Sequence, residues 1–160
     1  MFIAAMIAAA AVTKDVRAVI DAGLAYIPAK SRLTEDIKKI IALYDEGKNA
    51  QEIMEAIHAQ YNEHSANDWC YTNSNAMIVT MALLCGGGDF GTSICMAVEP
   101  GFDTDCNGAT VGSIVGMMNG VDCIGSEWLA PIHGHLETTI FGVGRVRIDE
   151  MVDLTVSHCR

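Results

Sequence analysis

The stretch Gly101-Phe102-Asp103-Thr104-Asp105-Cys106-Asn107-Gly108-Ala109-Thr110-Val111-Gly112-Ser113-Ile114-Val115-Gly116 governs how the rest of the sequence is read. Gly108, Gly112, Gly116 and Gly120 recur every fourth residue, joined by Ala109 and Ser113. In a helix each such glycine costs up to ~1 kcal/mol relative to alanine. Four of them are tolerable only where a neighbour packs very close, so the spacing predicts a central helix, running to about Gly120, that another helix approaches backbone to backbone. Asp103 and Asp105 stand two apart where this helix begins. Inside a helix that spacing points two side chains to different faces. At a first turn, where the backbone is not yet helical, both carboxylates can converge, and hard divalent cations such as Mg²⁺ take oxygen ligands of this kind. Plain capping also suits Asp103, Thr104 and Asp105, because the N-cap and the helix dipole both favour Asp. The opening of a calcium loop fits Asp103, Asp105, Asn107 and Gly108, but the glutamate that closes such a loop would fall at Ile114, which excludes it.

Outward from this stretch, apolar spacing is helical almost throughout. Phe2, Ile3, Met6, Ile7 and Ala10 share a face of a first helix. Thr13 is the expected N-cap of a second, with Val16, Val19, Ile20 and Ile27 on its inner side. Pro28 suits the start of a third, which carries Leu33, Ile37, Ile40, Ile41 and Tyr44 and stops at Gly47. Asn49 and Glu52 form a capping-box pattern ahead of Ile53, Ile57 and Tyr61. After a polar stretch, 62–75, comes a helix with Met77, Ile78, Met81, Leu83 and Leu84, ended by Gly86-Gly87-Gly88. Asp89 opens a short helix with Phe90, Ile94 and Val98, which Pro100-Gly101 breaks. Residues 121–146 read as irregular and 147–158 as a last helix. No alternating pair of segments flanks a hairpin turn, so no sheet is expected. The reading is one all-α domain over residues 1–160.

Of the 160 residues 51% are apolar and 19% charged, which excludes a disordered chain. Ten basic against twenty acidic residues give a formal charge of −10, which opposes nucleic-acid binding. The six cysteines contain no CxxC pair, and several lie in apolar runs; a reducing, cytoplasmic compartment is expected. The apolar opening, 1–12, is shorter than the ~20 residues of a membrane span, and Lys14 and Arg17 follow it rather than precede it as in a signal peptide. A buried helix is the expected outcome. Its partner surface would come from a second subunit, as in a homo-oligomer, or from a portion upstream of Met1.

The segment Phe102-Asp103-Thr104-Asp105, followed by Cys106-Asn107-Gly108-Ala109-Thr110-Val111-Gly112, resembles the second metal-binding motif of the ADP-ribosylglycohydrolase family. Gly88-Asp89-Phe90, the helix within 73–84, Ile27-Pro28-Ala29-Lys30-Ser31 and Trp128 are similar in the same order, so the resemblance covers nearly the whole chain. It implies an all-α fold with two Mg²⁺ ions in a cleft, and hydrolysis of the glycosidic bond between ADP-ribose and a protein side chain or a second ADP-ribose. By the same resemblance Asp103, Asp105 and the position of Cys106 are metal ligands. The family usually has a Thr or Ser hydroxyl where this chain has Cys106, and a thiol is a soft donor ill suited to Mg²⁺. The family's other acidic motif contains adjacent aspartates, and no Asp-Asp pair occurs here. The resemblance therefore implies an N-terminally truncated portion of the fold with a partial metal site. The competing reading is a catalytically inactive helical remnant or assembly module.

Elsewhere, His133-Gly134-His135 with Glu137 has the look of a metal pair, but a polar loop is the simpler reading. Gly86-Gly87-Gly88 follows a helix rather than a strand, which favours a helix end over a phosphate cradle. Trp69, Tyr71 and Phe102 are expected in core packing rather than adenine stacking. Glu35, Asp36 and Glu46 read as solvated helix-face charges.

Overall fold

The computed structural model describes residues 1–159. Contacts gather into two compact units, Met1–Cys123 and Ile124–Arg160. The first unit is built of α1 (Phe2–Ala10), α2 (Val16–Ala25), α3 (Arg32–Asp45), α4 (Ala50–His58), α5 (Thr72–Cys85), α6 (Phe90–Val98) and α7 (Thr104–Asn119).

Local capping chemistry sets most of these boundaries. The Asn49–Glu52 box forms in both directions, and Asp89 accepts the Thr92 N–H at 2.8 Å. Two boundaries differ from expectation. Asp15, not Thr13, caps α2, accepting the Arg17 and Ala18 N–H groups, while the Thr13 hydroxyl takes the Asp15 N–H. Both are good cap residues, and the carboxylate nearer the helix can accept two orphan donors. Ser31 caps α3, and Pro28 lies in the turn before it, where its carbonyl accepts from the Thr34 hydroxyl at 2.9 Å.

The centre of the unit is α5, not α7. Its apolar residues cover every face, so it is buried from all sides, against α2, α3, α4, α6 and α7. α1 buries Phe2, Met6 and Ala10 against α2 and α7, so its apolar face finds a partner within the chain. Gly23 of α2 makes room for it: a Cβ there would lie 2.7 Å from the Phe2 ring. Asp36 also departs from expectation. It is only 9% exposed and accepts from Gln60 Nε2 (2.8 Å), the Tyr61 hydroxyl (3.0 Å) and Asn73 Nδ2 (2.6 Å). A buried carboxylate needs such partners, and helical spacing alone does not reveal them.

The glycine face of α7 receives side chains rather than a bare backbone. Phe90, Ile94 and Val98 form an i, i+4, i+8 ridge on α6. A Cβ at Gly108 would lie 3.2 Å from Val98, one at Gly112 3.2 Å from Ile94, and one at Gly116 3.7 Å from Phe90. Gly120 serves differently: it ends α7 at φ 81°, with nothing near its Cα face.

In the second unit a short helix, α8 (Ser126–Leu129), precedes an antiparallel pair, β1 (His135–Glu137) and β2 (Arg145–Arg147), with Leu136 opposite Val146; α9 (Ile148–Ser157) follows. The hairpin corrects the expectation of no sheet. Three-residue strands are too short to show alternation, and the connection through 138–144 turns at Gly142 and Gly144, both with positive φ, instead of at a two-residue turn. The fold remains all-α in class. No helix among the described residues is long and apolar enough to cross a membrane.

The groove packing separates two glycines. Gly112→Leu forces a branched side chain onto Ile94 and should destabilise the protein by about 1–3 kcal/mol or more. Gly116→Ala meets only ordinary contact and should stabilise it by up to about 1 kcal/mol. Urea denaturation of both variants reads the difference; equal midpoints would contradict the ridge-in-groove account.

Candidate metal centre

The candidate site forms where the chain leaves α6 and enters α7. Gly101 (φ 77°) and Phe102 (φ 63°) are successive left-handed residues. For a phenylalanine this conformation is uncommon and costs of order 1 kcal/mol or more. Burial holds it in place. Phe102 is 8% exposed, and its ring lies 5.3 Å from that of His58, whose Nδ1 is 2.9 Å from Glu63 Oε2. The turn delivers Asp103 to the N-cap position of α7.

There the carboxylate does not cap. Asp15, Ser31, Asn49 and Asp89 each accept a first-turn N–H, whereas the Asp103 side chain accepts none. Its Oδ2 instead receives the Cys70 thiol at 3.3 Å, with the Cys106 thiol close by. Ligand atoms of Asp103, Asp105 and Cys106 all lie within 4.8 Å of one another. The two carboxylates thus converge, with Asp103 half-buried and Asp105 exposed. The hydrogen bond to Asp103 pushes both thiols above their ordinary range, assisted at Cys70 by loss of solvent and at Cys106 by the negative charge of Asp103.

Asn75, in the first turns of α5, braces the motif. Its Oδ1 accepts the Asp103 N–H (3.1 Å) and Asn107 Nδ2 (2.7 Å), and its Nδ2 donates to the Trp69 (3.1 Å) and Tyr71 (2.9 Å) carbonyls. Beside this brace opens a cavity of about 360 Å³ whose wall includes Asp103, Cys106, Cys70, Tyr71 and Phe2. Asp105 is not part of that wall.

Neither Cys70 nor Asn75 stood out in the sequence. Both reach the motif from about thirty residues away, with no spacing signal to tie them to it. Among the aromatics, Phe102 is core, Tyr71 is half-buried at the cavity with its ring 5.7 Å from that of Tyr61, and Trp69 is 45% exposed rather than packed. His133, His135 and Glu137 lie in the second unit; His135 Nδ1 is bonded to the His133 carbonyl oxygen, and the three do not form a ligand cluster among the described residues. Gly86-Gly87-Gly88 ends α5, with Gly87 and Gly88 at positive φ. As donors, the Asp103 and Asp105 oxygens suit Mg²⁺, whereas the Cys106 and Cys70 sulfurs do not.

The sequence profile of the family described as ADP-ribosylglycohydrolase matches residues 1–159. No curated protein and no solved structure matches the chain.

The Asp103–thiol contacts predict a chemical readout. Replacing Asp103 with alanine removes both the hydrogen-bond acceptor and the charge, so the Cys70 and Cys106 thiols should titrate at lower pH. In metal-free buffer near pH 8 their alkylation by iodoacetamide should therefore accelerate, with Cys95, also exposed, as the unaffected reference. Mass spectrometry of the alkylated sites measures it; unchanged rates at Cys70 and Cys106 would contradict the assigned contacts.

Proposed function

From a chain that belongs to the ADP-ribosylglycohydrolase family, we propose a hydrolase that cleaves an ADP-ribose glycosidic linkage with Mg²⁺ held by Asp103 and Asp105. The observation that carries this reading is the Asp103 carboxylate, released from capping and converging with Asp105 at the edge of a cavity. Protein cages for Mg²⁺ are rarely complete; one or two carboxylates act together with substrate oxygens, so two aspartates suffice for the protein's share on this side of the site. When bound, the ion supplies Lewis-acid polarisation and a template for the ribose hydroxyls and a water.

The chain's own residues then have distinct tasks. Asp103 and Asp105 present hard oxygens at a helix N-terminus, whose partial positive charge they more than offset. Cys106, in the position of the family's hydroxyl ligand, stands beside the two carboxylates and offers a soft sulfur instead of a hard ligand atom. Tyr71 offers an aromatic wall to the cavity. The cytoplasmic placement belongs to the same proposal and is supported by six free thiols. A non-catalytic helical module is the second reading, favoured by the thiol at position 106 and by the lack of any Asp-Asp pair in the sequence.

Calorimetric titration with Mg²⁺ tests the ligand assignment. The chain should give a binding isotherm, and Asp105→Ala should weaken it by roughly tenfold or more. Equal heats for both proteins would defeat the assignment. Release of ADP-ribose from an ADP-ribosylated peptide, abolished by EDTA and by Asp105→Ala, would establish the hydrolase; Mg²⁺ binding without release would favour the non-catalytic module.

A further inference from the structure

We propose that Asn75 is a positioning residue that locks the Asp103 carboxylate and the cavity wall into one register. The inference rests on the metal-site reading above and adds to it the device that keeps the site preorganised.

One carboxamide makes four hydrogen bonds to two separate parts of the chain. The oxygen holds the backbone of Asp103 and the side chain of Asn107, and the nitrogen holds the carbonyls of Trp69 and Tyr71. The oxygen therefore fixes the entry to α7, and the nitrogen fixes the segment that brings Cys70 and Tyr71 to the cavity. Asn107 is 2% exposed, so its amide depends on this partner in a site with little water. A carboxamide is the one neutral side-chain group of this length with two acceptor lone pairs and two donors, which matches the four partners one for one.

The brace is itself held from behind. Asn73 donates to buried Asp36 on α3 at 2.6 Å, and the Ser74 hydroxyl donates to the Asp68 and Tyr71 carbonyls, each at 2.9 Å. The run Asn73-Ser74-Asn75 thus pins the start of α5 to α3, to the 68–71 segment and to the motif. Asp103 bonds no first-turn N–H through its side chain, so the Asn75 contact anchors the backbone from which its carboxylate reaches the Cys70 thiol. Holding a ligand through a partner of its own is how outer-shell groups raise metal affinity.

The test compares the chain with Asn75→Ala and with Thr80→Ala. The latter removes a buried side-chain hydrogen bond on the same helix, to the Ala76 carbonyl, without touching the motif. In metal-free protein, amide hydrogen exchange at Asp103 should accelerate on the order of tenfold or more in Asn75→Ala and stay unchanged in Thr80→Ala. Mg²⁺ affinity by calorimetry should fall on the order of tenfold in Asn75→Ala, and not in Thr80→Ala even where the two melt at similar temperatures. If Asn75→Ala fails to fold, Asn107→Ala removes one of the two donors on the same oxygen and should shift both readouts in the same direction. Unchanged exchange at Asp103, or equal loss of affinity in the Thr80 control, would overturn the inference. Faster exchange in a protein whose parent binds no Mg²⁺ would instead leave the brace standing and remove the metal reading.

Discussion

α7 gives up side chains along one face, and α6 fills the groove with Phe90, Ile94 and Val98. That close approach constrains everything downstream of it. With α6 seated in the groove, the chain between the two helices must reverse within a few residues, and Gly101 and Phe102 do so in left-handed conformations. The reversal sets Asp103 at the head of α7, against α5. Burial of the Phe102 ring beside His58 offsets the strain of the turn. The helix propensity lost at Gly108, Gly112 and Gly116 is thereby exchanged for a fixed geometry at the α7 N-terminus.

Helix N-termini in this protein show two uses of the same residue types. At α2, α3, α4 and α6 a polar side chain turns inward to the orphan N–H groups, which is the energetically ordinary solution. At α7 the N-cap carboxylate turns away and accepts the Cys70 thiol. On the function proposed above, an aspartate withheld from capping keeps its oxygens for a metal ion. The nearby Asn75 accepts the N–H of Asp103 itself and so anchors the residue that enters the helix. Polar groups of α5, in turn, look in opposite directions: Asn73 toward buried Asp36, Asn75 toward the motif. A helix apolar over most of its length thus carries at its start the polar contacts that join the core to the site.

Much of this was legible in local pattern. The capping box at Asn49 and Glu52, the Asp89 cap, the glycine stop at Gly120 and the helical class follow from interactions within one turn or from the period of the apolar residues, and those are written directly in the order of amino acids. The Asp-Thr-Asp motif was equally visible, as two carboxylates at a loop-to-helix junction. Less legible were features with several adequate local solutions. Thr13 and Asp15 compete for one cap, and three-residue strands leave no measurable alternation.

What the sequence determined by itself is the all-α class, the helix inventory of the first unit and the identity of the two acidic candidates, because each depends on neighbours a few residues apart. Tertiary structure alone decided that α5 lies at the centre, that Asp36 is buried, that a ridge of side chains and not a backbone fills the glycine face, and that Cys70 and Asn75 meet Asp103. Those outcomes depend on contacts between residues from ten to 37 positions apart. Such pairings leave no periodic trace, since chain closure over that distance is set by the packing of whole helices rather than by any local preference.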